Sequence, residues 1–252
     1  STPSYAYDRQ QITKRVAFLR QHLPADVHLH YAMKANPMPA VVQHLAGLVD
    51  GLDVASGGEM RVALDTPMPP GLISFAGPGK GEDELSCAIA AGIVLNMESE
   101  QEMERIANLG VQLGLRPKVA VRVNPDFELK SSGMKMGGGP KQFGVDAERV
   151  PVMLGRLGKL GLDFEGFHIF SGSQNLRVAA IQESHEKTLR LGISLAQYAP
   201  GPVRLLNIGC GFGIPYFPGD EALDLAAVGE NLRRLLPEAK RQLPDARIVI
   251  EL

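Results

Sequence analysis

The chain has 252 residues, 44% of them hydrophobic, and a formal net charge of −2; that suits one large core, fits an α/β barrel of about 250 residues, and gives no basic footprint for nucleic acid. No apolar run approaches the roughly 18 residues of a membrane span. Cys87 and Cys210 lack metal-type spacing and Ser1-Thr2-Pro3-Ser4 lacks a leader's basic or apolar region, so disulfide scaffolds and zinc sites have no support, a cytoplasmic setting is expected, and a start without Met suggests a processed or trimmed chain.

Residues 8–22 carry helix periodicity, with Ile12, Val16 and Leu19 on one side. His28-Leu29-His30-Tyr31-Ala32-Met33-Lys34 alternates as a strand, and Pro37 breaks the pattern. Period two puts His28, His30, Ala32 and Lys34 on one face and Leu29, Tyr31 and Met33 on the other. Pro39 to Leu48 reads as a helix, Gly51 to Val54 as a strand, and Gly57-Gly58-Glu59 as a turn opening a helix. Strands follow at Leu72 to Phe75 and Ile93 to Asn96, separated by a helix from Asp83 to Ala91. Ser99 is placed to cap a helix over 100–109, and Lys118 to Val123 is a fifth strand. The glycine-rich stretch from Lys130 to Gly144 then interrupts the rhythm and has the composition of a mobile lid. Beyond it come a helix over 146–160, a strand from Phe164 to Phe170, a helix over 176–198, a strand from Val203 to Ile208, a helix over 222–242 and a last strand from Arg247 to Glu251.

Eight strands alternating with helices predict a parallel (β/α)8 barrel of the TIM type. No helix follows the eighth strand, so residues 1–252 read as one barrel domain that stops before its fold closes, with an exposed apolar flank that favours self-association.

Active sites of such barrels gather at the C-terminal ends of the strands. Lys34 stands there, either as a solvated strand-end lysine or as an amine able to form an imine with a carbonyl compound. Asp53 is a turn cap or a site carboxylate, Arg122 an ion-pair partner or a ligand contact. His168 is a packed, hydrogen-bonded core histidine or a site residue. Glu251 is a carboxylate inside a barrel and needs a partner, of which a ligand cation is one. Gly209-Cys210-Gly211-Phe212-Gly213 follows strand seven, where a glycine turn is either merely tight or a phosphate cradle. An imine-forming lysine, a phosphate cradle and an inward carboxylate together suit pyridoxal 5′-phosphate.

Seven segments in this order resemble the fold-type III pyridoxal-phosphate enzymes, on the branch of the diaminopimelate, ornithine and arginine decarboxylases, with an alanine-racemase-like barrel. They are Tyr31 to Asn36, Gly51 to Ser56, Gly77-Pro78-Gly79-Lys80, Arg122-Val123-Asn124-Pro125, Lys141 to Gly144, Gly172-Ser173-Gln174 and Gly209 to Gly213. The fuller wording, with Ser131 to Gly137 and Gly166 to Phe170, is similar to the decarboxylase-like proteins associated with exosortase A systems; a decarboxylase of a glutamyl group tethered to an acyl carrier protein is a related reading. The resemblance implies a Schiff base on Lys34, phosphate contacts from Ser173, Gly209, Cys210 and Gly211, and Glu251 against the ring nitrogen. It further implies that Asp53, Arg122 and His168 line the cofactor, that a C-terminal β-domain and final helix follow, and that the whole protein is a homodimer. The substrate would be an amino acid or a carrier-bound aminoacyl group, and turnover is not expected from the barrel alone.

The family's usual histidine before the apolar residue of the Gly-Ser-Gln segment is Phe170 here, and Cys210 replaces a usual glycine. Two rival readings are a non-catalytic pyridoxal-phosphate homeostasis protein and a racemase. Gly172-Ser173-Gln174 and Gly77 to Lys80 argue against the first; the second needs acid–base groups on both faces of the cofactor.

Overall fold

The computed structural model describes residues 2–127, 142–209 and 211–252. Its first half runs α1 (Arg9–His22), β1 (Val27–Ala32), α2 (Pro39–Ala46), β2 (Gly51–Val54), α3 (Gly57–Leu64), β3 (Ile73–Phe75), α4 (Glu82–Ala91), β4 (Val94–Met97), α5 (Glu100–Leu113) and β5 (Lys118–Asn124). The second runs β6 (Val145–Asp146), α6 (Val150–Leu157), β7 (Asp163–Ile169), α7 (Val178–Ala196), β8 (Leu205–Asn207), α8 (Leu225–Gln242) and β9 (Arg247–Glu251). Helix ends follow local chemistry. Asp8, Ser56 and Ser99 accept hydrogen bonds from first-turn amides of α1, α3 and α5, and left-handed Gly92 and Gly114 stop α4 and α5.

Neighbouring strands follow the order β4-β3-β2-β1-β9-β8-β7-β5, every pair parallel, and β4 pairs with β5 to close the ring. The two-residue β6 pairs only with the end of β5, which leaves eight strands in a closed (β/α)8 barrel. Strand parity sorts the side chains into two cores. Met33, Leu52, Phe75, Leu95, Phe167 and Leu206 pack outward against the helices. Val94, Ala120, Leu205 and Val249 form a separate apolar plug inside the barrel. Two residues beyond each plug residue on the same strand stands a polar one: Asn96, Arg122, Asn207 and Glu251. The barrel is therefore sealed with hydrocarbon below and polar above, at the C-terminal ends of its strands.

Two features correct the sequence reading. β1 ends at Ala32, and Met33–Ala35 form a 3-10 turn closed by the Asn36 N–H on the Met33 carbonyl at 3.1 Å. Met33 keeps its outward, fully buried place, but Lys34 rides the turn into the open mouth instead of continuing the strand face of His28, His30 and Ala32. The flank beside the last strand is not bare: β9 pairs with β1, and α1 packs between α2 and α8 with Val16 and Leu19 buried. A helix from the start of the chain thus covers the seam. An apolar cavity of about 370 Å³ remains there, lined by Ile12, Val16, Leu29, Tyr31, Leu45 and Leu252.

β7 carries a device that its sequence hides. Its register against β5 shifts between Val119 and Ala120, where Gly166, at φ 152°, lies against the Leu205 backbone. This bulge turns Gly166 and His168 inward and sends Phe167 and Ile169 to the outer core. Of the expected glycine-rich lid, only Gln142 to Gly144 lie within the described residues. Among the described residues no helix is long and apolar enough to cross a membrane.

Candidate active site

Lys34 lines two adjoining cavities at the C-terminal mouth. The inner one, about 30 Å³, is bounded by Lys34, Asp53, Arg122, His168, Phe170 and Glu251. The outer one, about 370 Å³, adds Arg15, Ser173, Gln174, Gly211 and Phe212 to Lys34, Phe170 and Glu251. The structure therefore brings the sequence-predicted Lys34, Asp53, Arg122, His168, Ser173, Gly211 and Glu251 around one space. Gly209 lies beneath it, its N–H donating to Asn207 Oδ1 at 2.8 Å and its carbonyl accepting the Glu251 N–H at 3.2 Å. Cys210 lies outside the described residues, as do Lys135 and Lys141.

The lysines of the mouth are sharply different. Lys34 is exposed, with Nζ 5.9 Å from the Phe170 ring centroid. Lys80 is 3% exposed. Its Nζ donates to the Gly77 carbonyl at 2.5 Å and the Asn96 carbonyl at 3.0 Å and pairs with Glu102 Oε1 at 2.9 Å. Burial pushes the Lys80 ammonium below its ordinary value, against the pull of Glu102. It ties the loop after β3 to α5 and has no face open to a ligand.

On β2, Asp53 Oδ1 accepts from Ser74 Oγ at 2.5 Å and lies 3.1 Å from His30 Nδ1, while Asn96 Nδ2 donates to Ser74 Oγ at 3.1 Å. Asp53 Oδ2 is sealed from solvent and has no hydrogen-bond partner among the described residues. On β9, Glu251 Oε2 lies 3.2 Å from His168 Nε2 and 3.4 Å from Asn207 Nδ2. The His168 Nε2 approach is an ion-pair distance, and among the described residues His168 Nδ1 has no hydrogen-bond partner. Burial pushes the Glu251 carboxyl up, but the adjacent His168, then Lys34 and Arg122, outweigh it and hold the carboxyl well below the usual range. Glu251 is thus an ionised group at the cavity floor.

Sequence reasoning missed Glu98. Its carboxylate accepts from the Gly77 N–H at 2.6 Å, Arg122 Nη1 at 2.7 Å and the Gly144 N–H at 2.8 Å. It holds Arg122, whose guanidinium stacks 4.9 Å from the Phe143 ring centroid, and fastens two loops to the barrel rim. Continuing the inward parity of β4 from Val94 through Asn96 would have found it. His30, Ser74 and Asn96 were equally legible by parity, but nothing in their spacing shows that they join on one carboxylate.

The glycine turn and the Ser173 segment form a single wall. Gly211 has φ 71°, and a Cβ there would sit 2.5 Å from the Gly172 carbonyl oxygen. The Asn175 N–H donates to the Gly211 carbonyl at 2.7 Å, and the Gly213 N–H to the Asn175 carbonyl at 2.8 Å. Backbone is packed on backbone here because two side chains are missing.

A parallel barrel whose mouth gathers an open lysine, an ionised carboxylate and a glycine turn laced to the segment that carries Ser173 has the makings of a pyridoxal-phosphate enzyme. Residues 9–252 match the family described as pyridoxal-dependent decarboxylase, pyridoxal binding domain, and the chain belongs to it. It is 33% identical over 257 residues to an L-glutamyl-[BtrI acyl-carrier protein] decarboxylase of Niallia circulans, covering 99% of this chain and 59% of that protein. It is 35% identical over 253 residues to a diaminopimelate decarboxylase of Aquifex aeolicus, again covering 99% and 59%. Among solved structures, diaminopimelate decarboxylase from Helicobacter pylori complexed with L-lysine superposes with TM-score 0.84 at 28% identity, covering 100% of this chain and 63% of that one. The chain spans about three-fifths of the length of the curated relatives it matches.

The cofactor of this family is pyridoxal phosphate, and the residues present fit it. Among the described residues Asp53 Oδ2 and His168 Nδ1 are buried polar atoms without a hydrogen-bond partner, which suits a polar ligand at this mouth. The Gly211–Gly172 contact makes a cradle that a Cβ would fill.

Proposed function

We propose that this chain is the cofactor-holding barrel of a decarboxylase that removes CO2 from an amino acid or a carrier-bound aminoacyl group. The observation that carries the site assignment is the contrast between the lysines: Lys34 is open beside both cavities, whereas Lys80 is buried and fully engaged. When bound, pyridoxal phosphate supplies a ring that accepts the electron pair released as the carbon–carboxylate bond breaks. Lys34 is its point of attachment. Glu251, ionised at the floor, would pair with the ring nitrogen and favour its protonated form. Ser173 and the Gly209 to Gly211 turn, with Cys210 within it, would hold the phosphate. Asp53, Arg122 and His168 bound the ring, and Phe170 offers it an apolar face.

The two relatives named for a carrier-bound glutamyl group and for diaminopimelate set the range of substrates. On the wording of Ser131 to Gly137 and Gly166 to Phe170 alone, we extend the proposal to a role beside exosortase systems; we further take the whole protein to be a cytoplasmic homodimer. The test is direct. Protein mixed with pyridoxal phosphate should absorb in the visible, and borohydride should fix the cofactor on the Lys34 peptide; fixation at Lys80 instead would refute the site. Release of labelled CO2 from these substrates by the whole protein, lost in Lys34→Ala, tests the reaction; racemisation of the substrate without CO2 release would reject it.

A further inference from the structure

We infer that His30 is a positioning residue which, through Asp53, aims a carboxylate oxygen into the Lys34 cavity. The inference rests on the proposed attachment at Lys34. Asp53 has one saturated oxygen and one bare one: Oδ1 takes the Ser74 hydroxyl and the His30 ring nitrogen, and Oδ2 takes no hydrogen bond among the described residues. Ser74 has a single proton. Because its oxygen accepts from Asn96 Nδ2, that proton is committed to Asp53. His30 supplies the second anchor, and two anchors on one oxygen stop the carboxylate from turning about its bond to Cβ. The imidazole is itself held. It lies over its register partner Gly51, where any Cβ would collide with the ring.

The geometry requires a proton on His30 Nδ1, because a bare nitrogen 3.1 Å from a carboxylate oxygen would set lone pair against lone pair. The consequence falls on Lys34. Asp53 shares the inner cavity with it, and a fixed negative charge there favours a cation at Nζ. The other charged or titratable groups around the two cavities are Arg15, Arg122, His168 and Glu251. None of them touches His30 by side-chain hydrogen bond or ion pair in the described contacts; Glu251 is its register partner on β9 through the backbone, a pairing that substitution of the His30 side chain retains.

Two measurements decide the matter. NMR of the ligand-free chain with 15N-labelled histidine should show His30 protonated on Nδ1 at neutral pH; a proton on Nε2 alone overturns the inference without involving the cofactor. In the chain loaded with pyridoxal phosphate, the visible absorbance should titrate with a pH midpoint that reports the cation at Lys34. His30→Gln carries its donor at the wrong reach and should lower that midpoint by about one unit, a tenfold change in the equilibrium. His30→Asn places an amide where Nδ1 stood and should restore it. In an Asp53→Asn background His30→Gln should add nothing further. An unchanged midpoint in His30→Gln, or an equal shift without Asp53, sinks the inference. Absence of a visible band from the unsubstituted chain would instead overturn the Lys34 assignment.

Discussion

Glu98 offers a sharp test of how the rim of the barrel is held. Replacing it with alanine removes the acceptor of three donors, at 2.6, 2.7 and 2.8 Å, and leaves the Arg122 guanidinium without its ion-pair partner. Three charge-assisted bonds at about 1.5–3 kcal/mol each would sum to more than the expected loss, because the freed Gly77 and Gly144 amides can recover water. Breaking a buried pair by removing one partner costs about 3–5 kcal/mol, and Glu98→Ala should fall in that range. Glu98→Gln is the more discriminating change. Its oxygen can keep Gly77 and Arg122, but its NH2 must then face the Gly144 N–H, so that a lost bond and a donor–donor contact together cost about 2 kcal/mol. Urea unfolding gives the assay. The chain has no tryptophan, so far-UV circular dichroism is the probe. Glu98→Gln within about 0.5 kcal/mol of the unsubstituted chain would show that Gly144 does not depend on this carboxylate, and the account of the rim would fail.

Met33 and Lys34 are neighbours with opposite fates. Met33→Ala should destabilise the chain by about 2–5 kcal/mol, because Met33 is fully buried; Lys34→Ala, at an exposed position, should shift unfolding by no more than about 0.5 kcal/mol while abolishing borohydride fixation. Gly211→Ala forces a side chain into positive φ and against the Gly172 carbonyl, so equilibrium titration should show affinity for pyridoxal phosphate weakened about tenfold or more. The Glu251 carboxyl is depressed in the folded state, so its contribution to stability is complete above its ordinary value of 4.5 and is lost as pH falls through the folded-state value. The stability difference between the unsubstituted chain and Glu251→Gln should therefore be constant near neutrality and shrink on acidification in urea melts; a difference that grows with acid contradicts the assignment.

Much of this site is legible in the sequence. The alternation of strand and helix signals predicted the barrel, and position at the C-terminal ends of its strands picked out Asp53, Arg122, His168 and Glu251, all of which line the inner cavity with Lys34. That worked because periods of two and of 3.6 are local properties, set by the backbone of one element and readable from its own residues.

What the chain in one dimension does not contain is which elements meet, and in what register. Asp53 finds Ser74 21 positions away and His30 23 away, and Glu98 reaches Gly144 across 46. The bulge at Gly166 reverses the parity of β7, and α1, from the start of the chain, covers the seam where β9 meets β1. Sequence placed the imine on Lys34 and named Lys80 only as the end of the Gly77 to Lys80 segment, without a physical reason for the difference. Burial separated them: a lysine ringed by Glu102 and two carbonyls is held by its neighbours, while one carried on a 3-10 turn into an open mouth stays available. Local pattern determines which way a side chain faces on its own element; only the closed sheet decides what stands opposite it, because hydrogen bonds and desolvation act through space and not along the chain.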